Sequence, residues 1–354
     1  MNPLLKWYDT CKRDLPWRNG KDPYRIWVSE IMLQQTRVEA VKPYFKRFVE
    51  ALPNLPALAD AKEEELLKLW EGLGYYSRVR NMQKAAVCVC EKHGGQMPAD
   101  YDELLKLPGI GSYTAGAIAS IAFGIPRPAV DGNVLRVLAR IRMDERDIAD
   151  PKTKKAVEEE LLPVMQKANP GDINQAFMEL GACICVPNGA PLCEKCPLGS
   201  LCLTNKNGAY ALYPVKSGKK ARSIEEKTVF LIMDEERIAL QKRAGKGLLA
   251  GLYTFPMAEG HLNREEAAEF LRERGMEPIY LKKLSPAKHI FSHKEWHMDG
   301  YFVKMDELAK SRLTGSSEDW IFAERKTVEE KYPIPSAMQS YTDYLQIKRG
   351  KENF

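Results

Sequence analysis

The 354-residue chain is long enough for two or three domains, and 44% hydrophobic with 29% charged residues is the composition of a protein with a real core. The 53 Lys+Arg exceed the 48 Asp+Glu by a net +5, which leans toward an anionic partner without demonstrating one. The longest apolar run, 115–125, is too short for a membrane span, and the N-terminus lacks the apolar stretch of a secretion signal; composition therefore excludes a membrane protein, a disordered chain and a small disulfide-stapled domain.

From the first residue to about 212 the pattern predicts helices. Trp27, Ile31, Val38, Val41, Phe45 and Phe48 recur at steps of three, four or seven, as on one buried helix face. Similar stripes cover 63–70 and 152–165, and Leu52-Pro53, Gly94-Gly95, Pro108-Gly109, 126–128 and Pro170-Gly171 punctuate them. Leu107-Pro108-Gly109-Ile110-Gly111 falls between two helical stretches. Its glycines predict a tight turn with no Cβ in the way, whose N–H groups, at the start of the next helix, can cradle an anion. An ordinary helix-to-helix turn is the commoner meaning of so short a pattern.

Residues 203–224 carry Lys206, Lys216, Lys219, Lys220 and Arg222 with no acid, and read equally as a basic linker or a solvated loop. Beyond them a strand is predicted over 228–233, a turn at 234–236, a returning strand over 237–241, a helix over 265–274 and a broken β stretch over 289–303. The tail is thus a smaller α+β domain after an all-helical one.

Cys185, Cys193, Cys196 and Cys202 are spaced C-x7-C-x2-C-x5-C. Core thiols do not cluster so, and the pattern predicts a metal site. Structural zinc usually takes two well-separated CxxC knuckles, and here there is one. The unequal spacing favours an iron–sulfur cluster, with zinc as the alternative. Cys183 is a spare nearby, while Cys11, Cys88 and Cys90 read as packed thiols.

Asp131, in Val130-Asp131-Gly132-Asn133-Val134, is placed to cap a helix over 134–141. Glu30 lies beside the first buried stripe, either as a solvated flank or as an acid whose pKa burial raises. Two carboxylates in different environments can divide labour, one donating a proton and one stabilising positive charge. Spacing alone does not say that these two meet.

Several segments together resemble the MutY-type adenine DNA glycosylases of the helix-hairpin-helix superfamily. They are Leu15-Pro16-Trp17-Arg18, residues 29–37 (SEIMLQQTR), 72–81 (GLGYYSRVRN), 107–114 (LPGIGSYT), 131–136 (DGNVLR), the four cysteines, and Phe291-Ser292-His293. The resemblance implies a multidomain fold: an all-α helix-hairpin-helix glycosylase region with a [4Fe-4S] loop over 1–212, a basic linker over 213–227, and a smaller α+β Nudix-like domain over 228–354. It implies excision of adenine mispaired with 8-oxoguanine, or less well with guanine, from double-stranded DNA by a cytoplasmic bacterial monomer.

By this resemblance Glu30 is the general acid at adenine N7, Asp131 stabilises the oxocarbenium-like sugar, and Tyr113 orients both acids. Arg18, Gln35, Thr36 and Gln175 would lie near the flipped adenine. Gly109 and Gly111 would hold a phosphate, and Tyr75 would wedge into the duplex. Phe291, Ser292 and His293 would read 8-oxoguanine, and Cys185, Cys193, Cys196 and Cys202 would hold the cluster.

Two features depart from the family pattern. Seven residues rather than six separate the first two cysteines, and 251–275 lacks the acidic array of a Nudix hydrolase, Ala267 and Ala268 following Arg264-Glu265. A recognition domain without hydrolase activity is expected. The run Gly111-Ser112-Tyr113-Thr114 has no lysine where endonuclease III-like relatives form a Schiff base, so strong lyase activity is not expected.

Overall fold

The computed structural model describes residues 3–218, 221–305 and 320–350. The chain packs as two units, Met1–Ala61 with Arg80–Gly218, and Lys62–Val79 with Lys219–Phe354.

The first unit is helical. It holds α1 (Pro3–Cys11), α2 (Pro23–Met32), α3 (Val38–Ala51) and α4 (Leu55–Asp60). After α5 (Glu63–Leu69), which packs in the second unit, come most of α6 (Ser77–His93), then α7 (Tyr101–Leu105), α8 (Ser112–Phe123), α9 (Gly132–Arg142), α10 (Pro151–Met165), α11 (Pro170–Cys183) and the short α12 (Leu203–Lys206). The starts follow local chemistry. Asp22, Asn54, Asp100, Asp131, Asp150 and Asn169 each cap a helix with a side-chain oxygen, and proline stands in the first turn of α2, α4, α10 and α11.

The single helix face expected from Trp27 to Phe48 is two helices. α2 stops at Met32 and α3 starts at Val38, because Gln35 takes the left-handed conformation at φ +58° and turns the chain. The apolar spacing spans the break because both helices bury their stripes in one core. Trp27, Phe45 and Phe48 are all buried, and Trp17 meets Phe45 edge-on at 5.4 Å. A second cluster joins Leu4 and Tyr8 of α1 to Val134, Val137 and Leu138 of α9 and to Phe177 and Leu180 of α11.

The second unit is built on a mixed sheet. Its strands are β1 (Ser223–Asp234), β2 (Arg237–Lys242), β3 (Tyr253–Thr254), β4 (Met257–Glu259), β5 (Pro278–Lys283), β6 (Ala287–Ile290), β7 (Lys294–Met305) and β8 (Trp320–Glu324). The order is β3-β2-β1-β7-β5, with β4 on β1, β6 on β7 and β8 on β2. β1 and β7 run parallel, Ser223 opposite Lys294 through Met233 opposite Lys304, and the other pairs are antiparallel.

Along β1, Val229 and Leu231 join Trp296 and Tyr341 on one face, while Phe230 and Ile232 join Ala267 and Leu271 on the other. Both faces are covered, which explains an apolar run without alternation. Helix α13 (Arg264–Arg272) covers the second face; α14 (Arg325–Lys331) and α15 (Gln339–Tyr344) supply Val328 and Tyr341 to the first. β1 starts at Ser223, inside the stretch read as linker, and the broken β stretch is a hairpin of β6 and β7.

Candidate active site

In the helical unit, residues of α2, α8, α9 and α11 and the chain on either side of α2 line a cleft of about 580 Å³. Of the residues singled out above, Arg18, Glu30, Gln35, Thr36, Tyr113, Asp131 and Gln175 all line it. Glu30 comes from the last turn of α2 and Tyr113 from the first turn of α8. Asp131 is the residue that caps α9.

Glu30 is 7% exposed. The Tyr113 hydroxyl donates to its Oε2 at 2.5 Å and also reaches Met178 Sδ at 3.7 Å. Burial pushes the Glu30 pKa up to about 7; the Tyr113 hydrogen bond opposes this, the Asp131 charge adds to it and Arg18 opposes it. Near neutrality this carboxyl holds a proton it can give away.

Burial raises Asp131 too, but the Val134 N–H and the Asn133 side chain and N–H pull the other way. Its Oδ1 accepts from Asn133 N at 2.9 Å and Val134 N at 2.8 Å, and its Oδ2 from Asn133 Nδ2 at 2.7 Å. Three N–H donors and a helix N-terminus favour the ionised form, whereas Glu30 has one hydroxyl donor in a dry setting. The net direction for Asp131 is still upward, with burial the largest cause, but its charged form has more donors than that of Glu30.

This segment is held on both sides. Arg136 donates to Asn133 Oδ1 at 2.9 Å, to the Gly181 carbonyl at 2.8 Å and to the Cys185 carbonyl at 2.9 Å. A Cβ on Gly116 would stand 2.2 Å from the Pro128 carbonyl oxygen, and one on Gly181 would stand 2.6 Å from Asn133 Cβ. Only glycine lets α8 and α11 come this close to the chain around Asp131.

The sequence reading passed over Glu179 and Arg13. Glu179 is buried, accepts from Arg13 Nε at 2.6 Å and Nη2 at 2.9 Å, and accepts from Arg18 Nη2 at 2.7 Å. Against the burial that would raise it, these arginines hold its pKa down to about 2. Arg18 is thereby aimed, with its Nη1 on the Arg13 carbonyl at 2.9 Å. Gln175, Met178, Glu179 and Ala182 all line the cleft, and their three- and four-residue steps along α11 were a signal available beforehand.

The hairpin joins α7 to α8. Gly109 sits at φ +76°, where a Cβ would lie 2.7 Å from Asn81 Cβ, so glycine is required there. Gly111 does not share this role. Its φ is −98° and its Cβ position is open; it heads α8 with no side-chain cap.

Cys185, Cys193, Cys196 and Cys202 line one pocket with Val137, Leu180 and Arg140. Arg140 Nη1 donates toward Cys185 Sγ at 3.4 Å. Burial raises Cys193, and raises Cys196 to about 11, with the neighbouring cysteines adding to both. Among the described residues, no three His, Cys, Asp or Glu side chains are grouped so as to hold a single metal ion.

In the second unit, Phe291, Ser292 and His293 form the turn between β6 and β7. Phe291 N donates to the Lys294 carbonyl at 2.8 Å, and the Phe291 ring packs edge-on to Trp296 at 5.0 Å. Ser292 and His293 are exposed. Tyr75, also in this unit, is 46% exposed at φ +48°, with the Arg78 guanidinium 5.3 Å from its ring.

Residues 28–166 match the model of the HhH-GPD superfamily of base excision DNA repair proteins, and 228–344 match a NUDIX domain. A mouse adenine DNA glycosylase is 38% identical, aligned over 98% of this chain and 78% of its own. One from Buchnera aphidicola of Acyrthosiphon pisum is 34% identical over 90% of each chain. A solved thermostable thymine-DNA glycosylase superposes with TM-score 0.53 at 29% identity, covering 58% of this chain and 94% of that one. Among the described residues no helix is long and apolar enough to cross a membrane.

Proposed function

The chain belongs to the adenine DNA glycosylase family, and on that premise we propose that it excises adenine paired with 8-oxoguanine, or less well with guanine, by hydrolysing the N-glycosidic bond. The observation that carries this reading is the meeting on one cleft of Glu30, buried with a single Tyr113 hydroxyl donor, and Asp131, held by three N–H donors at the start of α9.

Adenine is an undamaged base and must first leave the stack, at a cost of a few kcal/mol. Glu30 then gives its proton to N7, and the bond electrons move onto the departing base. Positive charge grows at C1′ and the ring oxygen, where the fixed negative charge of Asp131 lowers its energy without reorganising. Water then attacks C1′ and passes one proton to the Glu30 carboxylate, which restores the acid. Tyr113 holds Glu30 in its working rotamer, and Arg18, aimed by Glu179, faces the base with Gln35, Thr36 and Gln175.

The open backbone at Gly111 and the uncapped start of α8 suit a phosphate oxygen. Tyr75 would fill the gap beside the partner base, and Ser292 would hydrogen-bond the edge by which 8-oxoguanine differs from guanine, with Phe291 and His293 beside it. Glu266 is committed to the capping box of α13 and Ala267 is buried, which supports a recognition role without hydrolase chemistry.

The cysteine pocket fits a [4Fe-4S] cluster: four thiols share it, and Arg140 offsets their charge as thiolates. Cys185, Cys193, Cys196 and Cys202 would hold the cluster, which when bound cross-links the loop from 185 to 202. Iron analysis and visible absorbance of the purified protein test this.

The main test is single-turnover release of free adenine from duplexes carrying adenine opposite 8-oxoguanine, guanine or thymine. Release is expected in that order of rate. Tight binding without release would sink the reading. Efficient borohydride trapping on abasic DNA, mapped to α8, would favour a lyase instead.

A further inference from the structure

The loop that presents Tyr75 packs in the sheet unit, although the sequence on both sides of it belongs to the helical one. It is a shaped loop. Gly72 and Gly74 take φ of +98° and +68°, Trp70 Nε1 donates to the Gly74 carbonyl at 3.1 Å, and Arg78 donates to the Leu73 and Gly74 carbonyls at 3.1 and 3.2 Å. Trp70, Leu73 and Tyr76 are buried beneath it, leaving Tyr75 out.

At the base of the loop lies Glu71, 0% exposed. Its Oε1 accepts from Ile334 N at 2.7 Å and its Oε2 from Gly350 N at 3.1 Å. Lys68 Nζ lies 2.8 Å from Oε2 and also donates to the Tyr332 carbonyl at 3.2 Å. One turn earlier, Glu64 accepts from Lys242 at 3.1 Å and from the Tyr253 hydroxyl at 3.3 Å. A carboxylate so buried, spent on two backbone N–H groups 263 and 279 residues away, is costly to dislodge.

We propose that Glu71 is a positioning residue for Tyr75: its carboxylate fastens the Tyr75 loop to the C-terminal segment around Ile334 and Gly350, so that the loop and the sheet unit act on DNA as one body. This rests on the reading of the chain as a mispair-specific adenine glycosylase. Glu71 is fully buried, with Ile334, Gly350 and Lys68 on its oxygens, so its effect passes through the tyrosine.

The experiment compares the full-length parent with Glu71→Gln, which keeps one acceptor oxygen, Glu71→Ala, Tyr75→Ala and the Glu71→Ala/Tyr75→Ala double variant. Two readouts are taken: hydrogen exchange along the chain, and single-turnover adenine release opposite 8-oxoguanine and guanine. In the Glu71 variants, amides of 72–78 should exchange about tenfold faster or more while β1 and β7 stay protected. Release opposite 8-oxoguanine should slow about tenfold in Glu71→Ala and less in Glu71→Gln, and the double variant should be no slower than Tyr75→Ala.

Unchanged protection of 72–78 would overturn the proposal, as would a double variant slowed by the product of the single effects. If Glu71→Ala loosens the strands, Glu71→Gln decides; strands loosened in both would show a carboxylate that holds the whole unit together. A parent that releases no adenine refutes the activity, while the exchange pattern still judges the tether.

Discussion

In the helical unit the acids that matter are buried, and each is fixed by named partners: Glu30 by Tyr113, Asp131 by Asn133 and Val134, Glu179 by Arg13 and Arg18. In the sheet unit the residues proposed for the partner base, Ser292 and His293, are exposed at a hairpin turn held by Phe291 on Trp296 and by hydrogen bonds from Arg222 and Ser223 to the turn's carbonyls. The contrast matches the two tasks proposed for these units. Breaking a glycosidic bond needs a low-dielectric site with pre-set charges. Checking one edge of a base needs reach and a rigid footing.

Breaking the first arrangement should cost most. Asp131→Asn keeps the helix cap but removes the charge, so adenine release should fall roughly a thousandfold opposite every partner base, with little change in melting temperature. A fall confined to one partner base would blur the division between the units.

Glu179→Gln comes next. It leaves Arg13 and Arg18 short of a counter-charge, and should cost on the order of 3 kcal/mol in a denaturant titration at neutral pH. Because the Glu179 pKa is held down to about 2, its contribution is present above the ordinary glutamate range near 4.5 and lost as pH falls toward 2. The gap between parent and variant should close in acid.

Glu30 has the opposite sign. Its pKa is raised from 4.5 to about 7, so its stabilising contribution is complete below 4.5 and lost as pH rises through 7, on the order of 3 kcal/mol in all. Glu30→Gln should therefore be more stable than the parent at pH 8 and nearly inactive. The parent's single-turnover rate should decline above about pH 7 as the donor proton is lost.

Smaller effects separate the hairpin glycines and the turn. Gly109→Ala should weaken duplex binding and lower stability by about 1–2 kcal/mol, while Gly111→Ala, with open space at its Cβ, should fold like the parent. Ser292→Ala should lower the preference for 8-oxoguanine over guanine about tenfold while leaving the rate opposite guanine nearly unchanged. That last result would sharpen the contrast most: a rate set in one unit and a preference set in the other.

Local chemistry was legible in the sequence where a residue acts on its neighbours. Asp131 announces a cap through the residues beside it, and the turn at 234–236 and helix α13 follow from composition and period. Family segments pointed to Glu30, Tyr113 and Asp131, and the fold brings all three to one cleft. What stayed hidden depends on long-range packing. The chain turn at Gln35 is invisible because the apolar stripe continues through it. Glu179 belongs to no motif; its step from Gln175 along α11 could mark the face it shares, but not its pairing with Arg13 and Arg18, 166 and 161 residues away. Nothing local says that 62–79 packs with a sheet whose first strand begins at Ser223.

The two glycines pressed against the chain around Asp131 bear on how this enzyme could be altered. Gly116 and Gly181 leave no slack on that wall, since one methyl at either would shove the backbone that carries the charge. Thr36 and Gln175, by contrast, line the cleft with side chains from a turn and a helix face and lie outside the left-handed region that Gln35 takes. A variant selected to accept a different base should accumulate its changes there, and leave the glycines untouched.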